Sequence, residues 1–100
     1  MEWRFGNSAL EQLYTKGVGQ RLYPQEIVRA FLKRVNDIRS APSERDLRAM
    51  KSLHYEQLKG DRQGQISLRL NKQWRLILTV ERSRTGRKTI VIHEISKHYN

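Results

Sequence analysis

Two neighbouring segments in the second half of the chain alternate apolar and polar residues with a period of two. They cover residues 65–71 and 74–81. The even-numbered positions carry the apolar side chains Ile66, Leu68, Leu70, Trp74, Leu76, Leu78 and Val80. Such alternation is typical of half-buried strands. The short connection Asn71-Lys72-Gln73 predicts that the two strands form a hairpin. One face of this hairpin enters a core, and the other presents polar side chains that include Ser67 and Arg69.

The residues before this hairpin predict helices. Apolar residues recur at helical spacing between Ile27 and Ile38, after Pro24 and before Pro42, as expected of a helix that packs on a core. A shorter helix is predicted to begin near Ser8, since apolar residues recur at helical spacing there as well. The other side of the longer helix carries four cations that we expect to face solvent: Arg29, Lys33, Arg34 and Arg39.

The order of these elements predicts the fold class. A β-branched run from Thr89 to Ile95 predicts a last strand, and residues 2–5 can form a short edge strand. Helices followed by strands indicate an α+β fold. We expect a small antiparallel sheet with two N-terminal helices packed on one face. One hundred residues suffice for one modest core, so we expect a single domain covering residues 1–100.

The net charge of +10 is concentrated in the second half of the chain. Residues 1–57 carry ten basic and seven acidic residues, whereas residues 58–100 carry ten basic and only three acidic ones. A surface with this excess of positive charge fits a polyanion such as nucleic acid. An acidic protein partner fits the same excess.

Several classes of site find no support in the sequence. Cysteine is absent, which excludes disulfides and cysteine-ligated metals. The histidines, His54, His93 and His98, show neither an HExxH motif nor metal-ligand spacing, and no serine lies in a nucleophile elbow. No metal and no cofactor are therefore predicted. No apolar run is long enough to span a membrane, so we expect a cytoplasmic protein without a membrane partner.

The remaining reactive side chains are cations, histidines and tyrosines. This set suits the cleavage of RNA by its own 2′-hydroxyl group. A base removes the hydroxyl proton, cations neutralise the pentavalent phosphate, and an acid protonates the leaving 5′-oxygen. Histidine can serve as either base or acid, because an imidazole titrates near neutral pH.

A basic turn before the hairpin carries a resemblance to a known family. The segment Leu58-Lys59-Gly60-Asp61-Arg62, with Gly64 and the pair Trp74-Arg75, resembles HigB-type toxins of the RelE/ParE superfamily. Members of that family typically carry an L-K-G-D-R-x-G segment, a polar strand and a W-R pair. The resemblance implies a RelE/ParE-like fold. It also implies a toxin that inhibits translation as a ribosome-dependent mRNA endonuclease, acting by metal-free acid–base chemistry.

The resemblance also implies roles for individual residues. Some branches of the family end in histidine-tyrosine, as this chain does at His98-Tyr99, whereas Lys97 stands where an aspartate is frequent. The expected catalytic residues are Lys59, Arg69, Arg75, His98 and Tyr99, and the expected RNA- or ribosome-binding residues are His54, Arg62, Lys72 and Lys97.

Some of these assignments have alternatives. Arg69 and Arg75 are also explained as exposed strand residues that support solubility, and the tail as an exposed terminus. Because Arg75 alternates with Trp74, it reaches the site only if helices cover the other face of the sheet. His54 lies four residues before Leu58, whereas relatives often carry a histidine two before that leucine. It is therefore either displaced into the site or an ordinary surface residue.

The implied function also has alternatives. The nuclease is expected to be held inactive by a helix-turn-helix antitoxin of HigA type and to act on mRNA in the ribosome. A ParE-like inhibitor of DNA gyrase, which shares the fold but cuts nothing, is the leading alternative. A noncatalytic RNA-binding module also fits the charge, although the chain lacks a platform of stacking aromatic residues.

Overall fold

A five-stranded sheet carries three helices in the computed structural model, which describes residues 1–97. The helices are α1 (Ser8–Lys16), α2 (Gln25–Ser40) and α3 (Glu44–Ala49). The strands are β1 (Glu2–Phe5), β2 (Glu56–Gln57), β3 (Ile66–Arg69), β4 (Trp74–Arg82) and β5 (Lys88–Lys97). Within this part of the chain, no helix combines the length and the apolar composition needed to cross a membrane.

The ends of the helices follow from local side-chain chemistry. Asn7 caps α1, because its Oδ1 accepts a hydrogen bond from the backbone N–H of Ala9 at 2.9 Å and so satisfies a donor that the helix leaves unpaired. The helix ends at Gly17, which adopts the left-handed conformation at φ 70° that glycine tolerates best. Pro24 directly precedes α2, and Ala41 ends that helix in an extended conformation.

The strands lie in the order β1-β5-β4-β3-β2. The predicted α+β fold, with helices packed on one face of a small sheet, is confirmed. The sheet is not antiparallel throughout, however: β1 runs parallel to β5, while the other neighbours are antiparallel. The alternation of Trp3 and Phe5 indicates which face β1 buries, but it carries no information about the direction of a partner more than eighty residues away.

The core lies between the helices and one face of the sheet. Leu68 and Leu76, which are cross-strand partners, are fully buried there. The apolar stripe of α2 packs against this face, as predicted, through the buried side chains Ile27, Val28, Phe31, Val35 and Ile38. α1 and α3 contribute Leu10, Leu13 and Leu47 to the same core.

The opposite side of the sheet, which we call the open face, carries the side chains that alternate with the core residues along each strand. Three pairs of directly opposed residues define it: Ser67 with Ile77, Arg69 with Arg75, and Ile77 with Glu94. The pairing of β4 with β5 shifts register between Ile77 and Leu78. Ser67 and Ile77 are themselves buried, whereas Arg69 and Arg75 at the β3–β4 end of this face are half-buried cations.

Candidate functional site

Arg69 and Arg75 are brought together at one end of the open face. They are direct partners in the β3–β4 ladder, and both are half-buried. The helices cover the face that carries Trp74 and Leu76, so the condition for Arg75 to reach this site is met. Directly opposed residues lie about 5 Å apart at Cβ, so the two side chains start from adjacent positions on the open face.

His54 joins this pair from the segment before β2. Its Nε2 lies 3.2 Å from Nη1 of Arg69. Arginine can only donate hydrogen bonds, so this contact is a hydrogen bond when Nε2 of His54 accepts and the ring is neutral. His54 also adopts a left-handed backbone conformation (φ 46°, ψ 53°), which is uncommon outside glycine. His54 therefore lies beside Arg69, and its role in a site stays a prediction.

Arg34 of α2 holds the backbone of β3 at this end. Its Nε donates to the carbonyl oxygen of Arg69 at 2.9 Å, and its Nη1 donates to Asp37 at 2.9 Å. The expectation that Arg34 belongs to a solvated face was wrong, because the sheet extends beneath that side of the helix. Arg34 thereby fixes the residue whose side chain contacts His54.

Arg62 reaches the open face from the loop 58–65, which joins β2 to β3. Its Nη1 forms an ion pair with Oε1 of Glu94 at 2.6 Å and also donates to Gln65 at 2.9 Å. Gly60 and Gly64 give the loop two positive φ angles, 67° and 91°, which glycine adopts without strain. Glu94 was not predicted as a site residue, because no local sequence pattern links it to Arg62, 32 residues earlier in the chain.

The other predicted cations occupy two different places. Lys72 is exposed in the β3–β4 turn, at the same end of the sheet as Arg69. This turn is held by Asn71, whose Oδ1 accepts from the backbone N–H of Gln73 and of Trp74, each at 2.8 Å. Lys59 instead lines a groove together with Ile66, the first residue of β3. Arg69 is the last residue of that strand, and three residues of strand span about 10 Å. The structure therefore does not bring Lys59 to Arg69.

The C-terminal tail is described only as far as Lys97. Lys97 is the cross-strand partner of Trp74, and its Nζ lies 5.9 Å from the centre of the indole ring. The preceding residue, Ser96, pairs with Arg75, so β5 ends beside the arginine pair. His98 and Tyr99 lie outside the described residues.

Two pKa shifts occur near the groove rather than at the arginine pair. Burial raises the pKa of the Tyr55 hydroxyl above its ordinary value, and that hydroxyl donates to Glu44 at 3.4 Å. The Tyr55 hydroxyl in turn raises the pKa of Arg48, whose guanidinium carbon lies 4.9 Å from the centre of the tyrosine ring. Within residues 1–97, no three His, Cys, Asp or Glu side chains come together as a metal site.

The fold is shared with solved toxin structures. The YoeB/ParE toxin from Agrobacterium tumefaciens superposes with a TM-score of 0.57 at 19% identity, covering 99% of this chain and 100% of the other. A chain of the YoeB-YefM complex from Staphylococcus aureus gives 0.55 at 22% identity over 99% and 98%. YafQ from E. coli strain BL21(DE3) gives 0.53 at 9% identity over 96% and 91%. At these identities the likeness shows the fold alone.

Sequence comparison reaches further than the fold. Toxin HigB-1 of Vibrio cholerae serotype O1 is 36% identical over 77 residues, which make up 77% of this chain and 81% of the relative. Residues 3–89 match the family described as the RelE-like toxin of type II toxin-antitoxin system HigB. The matched range contains Arg69, Arg75 and His54, so the open-face cluster lies within it. The chain therefore belongs to the HigB-like family of RelE-like toxins of type II toxin–antitoxin systems.

Proposed function

We propose that this toxin inhibits translation as a ribosome-dependent mRNA endoribonuclease that needs no metal cofactor. The observation that carries the proposal is the cluster on the open face, where Arg69 contacts His54 and lies opposite Arg75. RelE-like toxins of this family are endoribonucleases, which supports a catalytic role for such a cluster.

The cluster supplies two of the three groups that the reaction needs. Arg69 and Arg75 present planar donor groups that match the oxygens of a phosphate and neutralise the charge that develops there. Nε2 of His54, which lies beside Arg69, is proposed to act as the proton acceptor once substrate displaces that contact. We propose that the third group, a proton donor, comes from His98 or Tyr99, which follow the end of β5 in the sequence.

The proposed reaction is a transfer within the RNA backbone. The base takes the proton of the 2′-hydroxyl, and the 2′-oxygen forms a bond to phosphorus. The bond between phosphorus and the 5′-oxygen breaks, and the acid protonates the leaving oxygen. The products are a 2′,3′-cyclic phosphate and a 5′-hydroxyl end, with no water consumed in this step.

The proposal also covers partners and location. Arg62, Lys72 and Lys97 are proposed to contact the RNA or the ribosome around the arginine pair. The inhibitor is proposed to be a helix-turn-helix antitoxin of HigA type. The solved YoeB-YefM complexes from Staphylococcus aureus support an antitoxin in general. Action on ribosomes would place the protein in the cytoplasm.

The test is primer extension on a defined mRNA bound to purified ribosomes. The toxin is treated with EDTA and desalted before addition, because ribosomes themselves need Mg²⁺. Wild type should cut within the codon presented to the A site, and Arg69→Ala should lower the rate by about 10²–10³. Lys59→Ala should cost less, since Lys59 lies at the other end of β3. Arg29→Ala, which removes an exposed cation of α2, serves as the control.

Two results would overturn the proposal. Full cleavage by a folded Arg69→Ala protein would remove the arginine pair from the mechanism. A wild-type protein that never cuts, but that inhibits supercoiling by DNA gyrase, would establish the ParE-like alternative. Activity that is lost on EDTA treatment and regained with an added transition metal would refute the metal-independent chemistry alone.

A further inference from the structure

An ion pair between the loop 58–65 and β5 crosses the open face close to the arginine pair. Nη1 of Arg62 lies 2.6 Å from Oε1 of Glu94. The loop leads into β3, and β4 lies between β3 and β5, so the side chain of Arg62 passes over β4 to reach Glu94. Ile77 of β4, the direct partner of Glu94, is accordingly only 3% exposed, although it belongs to the open face.

This ion pair lies one step along the sheet from Arg75. Glu94 is opposite Ile77, and Ser96, two residues farther along β5, is opposite Arg75. Two residues of strand span about 7 Å. RNA carries one phosphate per nucleotide, so a strand that places one phosphate at the arginine pair can bring a neighbouring phosphate to Arg62. Proteins that hold single-stranded nucleic acid commonly follow its backbone with several cations in this way.

Glu94 occupies the group that such a phosphate needs. A carboxylate and a phosphate both match the planar donors of a guanidinium, so Glu94 and RNA compete for Arg62. The negative charge of Glu94 also repels an approaching phosphate. Glu94 is one of only three acidic residues in the basic half of the chain, residues 58–100, and it lies on the face that we propose binds RNA. Its charge therefore opposes RNA binding at this position.

The ion pair is weak enough for a substrate to replace it. The side chains of Arg62 and Glu94 are 45% and 44% exposed, and exposed pairs contribute only about 0–1 kcal/mol to stability. Nη1 of Arg62 also donates to Oε1 of Gln65 at 2.9 Å. This second hydrogen bond can keep the guanidinium at the open face after Glu94 has been displaced.

We propose that Arg62 binds the RNA phosphate next to the one held by the arginine pair, and that Glu94 keeps this subsite closed until RNA displaces it. The inference rests on the proposed function, because it assigns a neighbouring subsite to the same RNA strand. Glu94 is thus an autoinhibitory residue that lowers the affinity for RNA. Removing its charge, while keeping its shape, should strengthen RNA binding.

The experiment measures binding of fluorescein-labelled 2′-O-methyl hexauridylate to the full chain by fluorescence anisotropy. This RNA lacks the 2′-hydroxyl group that the proposed reaction needs, so binding is separated from cleavage. Glu94→Gln should bind it about two- to fivefold more tightly than wild type, as expected for the release of one exposed ion pair. The dependence of log Kd on log salt should also steepen by about 0.7, the value for one more phosphate contact on a single strand.

Two further variants show whether Glu94 acts through Arg62. Glu81→Gln is the matched control, because it removes the same charge from an exposed ion pair with Arg4, 3.0 Å long, elsewhere on the open face. It should bind RNA as wild type does. In an Arg62→Gln background, Glu94→Gln should bring no gain in affinity, because the cation that it releases is absent.

The other outcomes overturn the proposal. Unchanged, weaker or absent RNA binding by Glu94→Gln would show that Glu94 does not close a subsite. Equal gains in Glu94→Gln and Glu81→Gln would show an effect of net charge alone, and a gain that persists without Arg62 would show that Arg62 is not the subsite. On programmed ribosomes, the gain of Glu94→Gln should appear in KM rather than in kcat. A wild type that never cuts mRNA would refute the proposed nuclease, whereas the binding results would still decide the role of Glu94.

Discussion

Arg69 of β3 and Arg75 of β4 lie directly opposite each other, so that two cations face one another on adjacent strands. Like charges in this position destabilise a sheet. Nη1 of Arg75 is also buried and has no hydrogen-bond partner among the described residues. A pair with both properties lowers the stability of the fold, which is what selection for an anion-binding site, rather than for stability, would leave behind.

Replacing Arg75 should therefore separate stability from activity. Arg75→Met keeps an unbranched side chain but removes the repulsion and the unpaired donor. The free energy of unfolding should rise by about 1 kcal/mol, while mRNA cleavage should fall by about 10²–10³. Urea unfolding followed by circular dichroism, together with primer extension, measures both. Arg84→Met, in the exposed β4–β5 turn, should change neither. Cleavage at the wild-type rate by Arg75→Met would contradict the assignment.

A substitution at His54, whose backbone is left-handed, should also affect stability and mRNA cleavage in different ways. This conformation costs a residue with a side chain about 1–2 kcal/mol, and glycine avoids that cost. His54→Gly should leave the unfolding free energy unchanged or slightly raised, yet it should cut mRNA far more slowly because the proposed proton acceptor beside Arg69 is lost. His54→Ala keeps the strain and should be both slow and less stable than His54→Gly. Normal cleavage by the glycine variant would show that His54 is an ordinary surface residue with no role in cleavage.

The tail is expected to supply the remaining proton-transfer group. Because Lys97 pairs with Trp74, the informative truncation ends after Lys97 and removes only His98, Tyr99 and Asn100. This protein should bind ribosomes as wild type does but should not cut. His98→Ala should show most of the loss, and Tyr99→Phe a smaller loss. Deletion of Asn100 alone is the control, and cleavage by the longer truncation would place the acid elsewhere.

Tyr55 should give the protein a measurable sensitivity to alkaline pH. Burial raises its pKa in the folded state, so the unfolded chain loses this proton first. The stability that depends on the neutral hydroxyl is complete below about pH 10, the ordinary tyrosine value, and is lost as pH rises through the folded-state pKa. Tyr55→Phe keeps the ring beneath Arg48 and has no proton to lose. Wild type should therefore lose stability relative to Tyr55→Phe above about pH 10. Parallel unfolding curves for the two proteins up to pH 11 would contradict this.

Local sequence pattern was sufficient for the two strands that carry the arginine pair. Alternation predicts that Leu68 and Leu76 face the helices, and Arg69 and Arg75 must then share the other face. The three-residue connection limits the register that the two strands can adopt. The same reasoning was wrong for Arg34, because the carbonyl group that it binds lies 35 residues away in the sequence.

The path of the loop 58–65 could not be predicted from local sequence pattern. Its glycines predict a turn, but they do not predict the direction in which the loop leaves the sheet. That direction places Lys59 in the groove, whereas Arg62 reaches Glu94, 32 residues farther along the chain. Contacts of this range depend on the packing of the whole sheet rather than on neighbouring residues.

The position of β5 has a consequence for synthesis of the protein. β5 is the last strand to be made among those described, yet it lies between β1 and β4 in the sheet. Until residues 88–97 have left the ribosome, β1 has no partner strand and Arg75 lacks Ser96 beside it. A nascent chain therefore cannot complete this sheet until β5 has emerged. Before that point the arginine pair lies on a sheet that lacks the strand joining its first element to the β3–β4 hairpin.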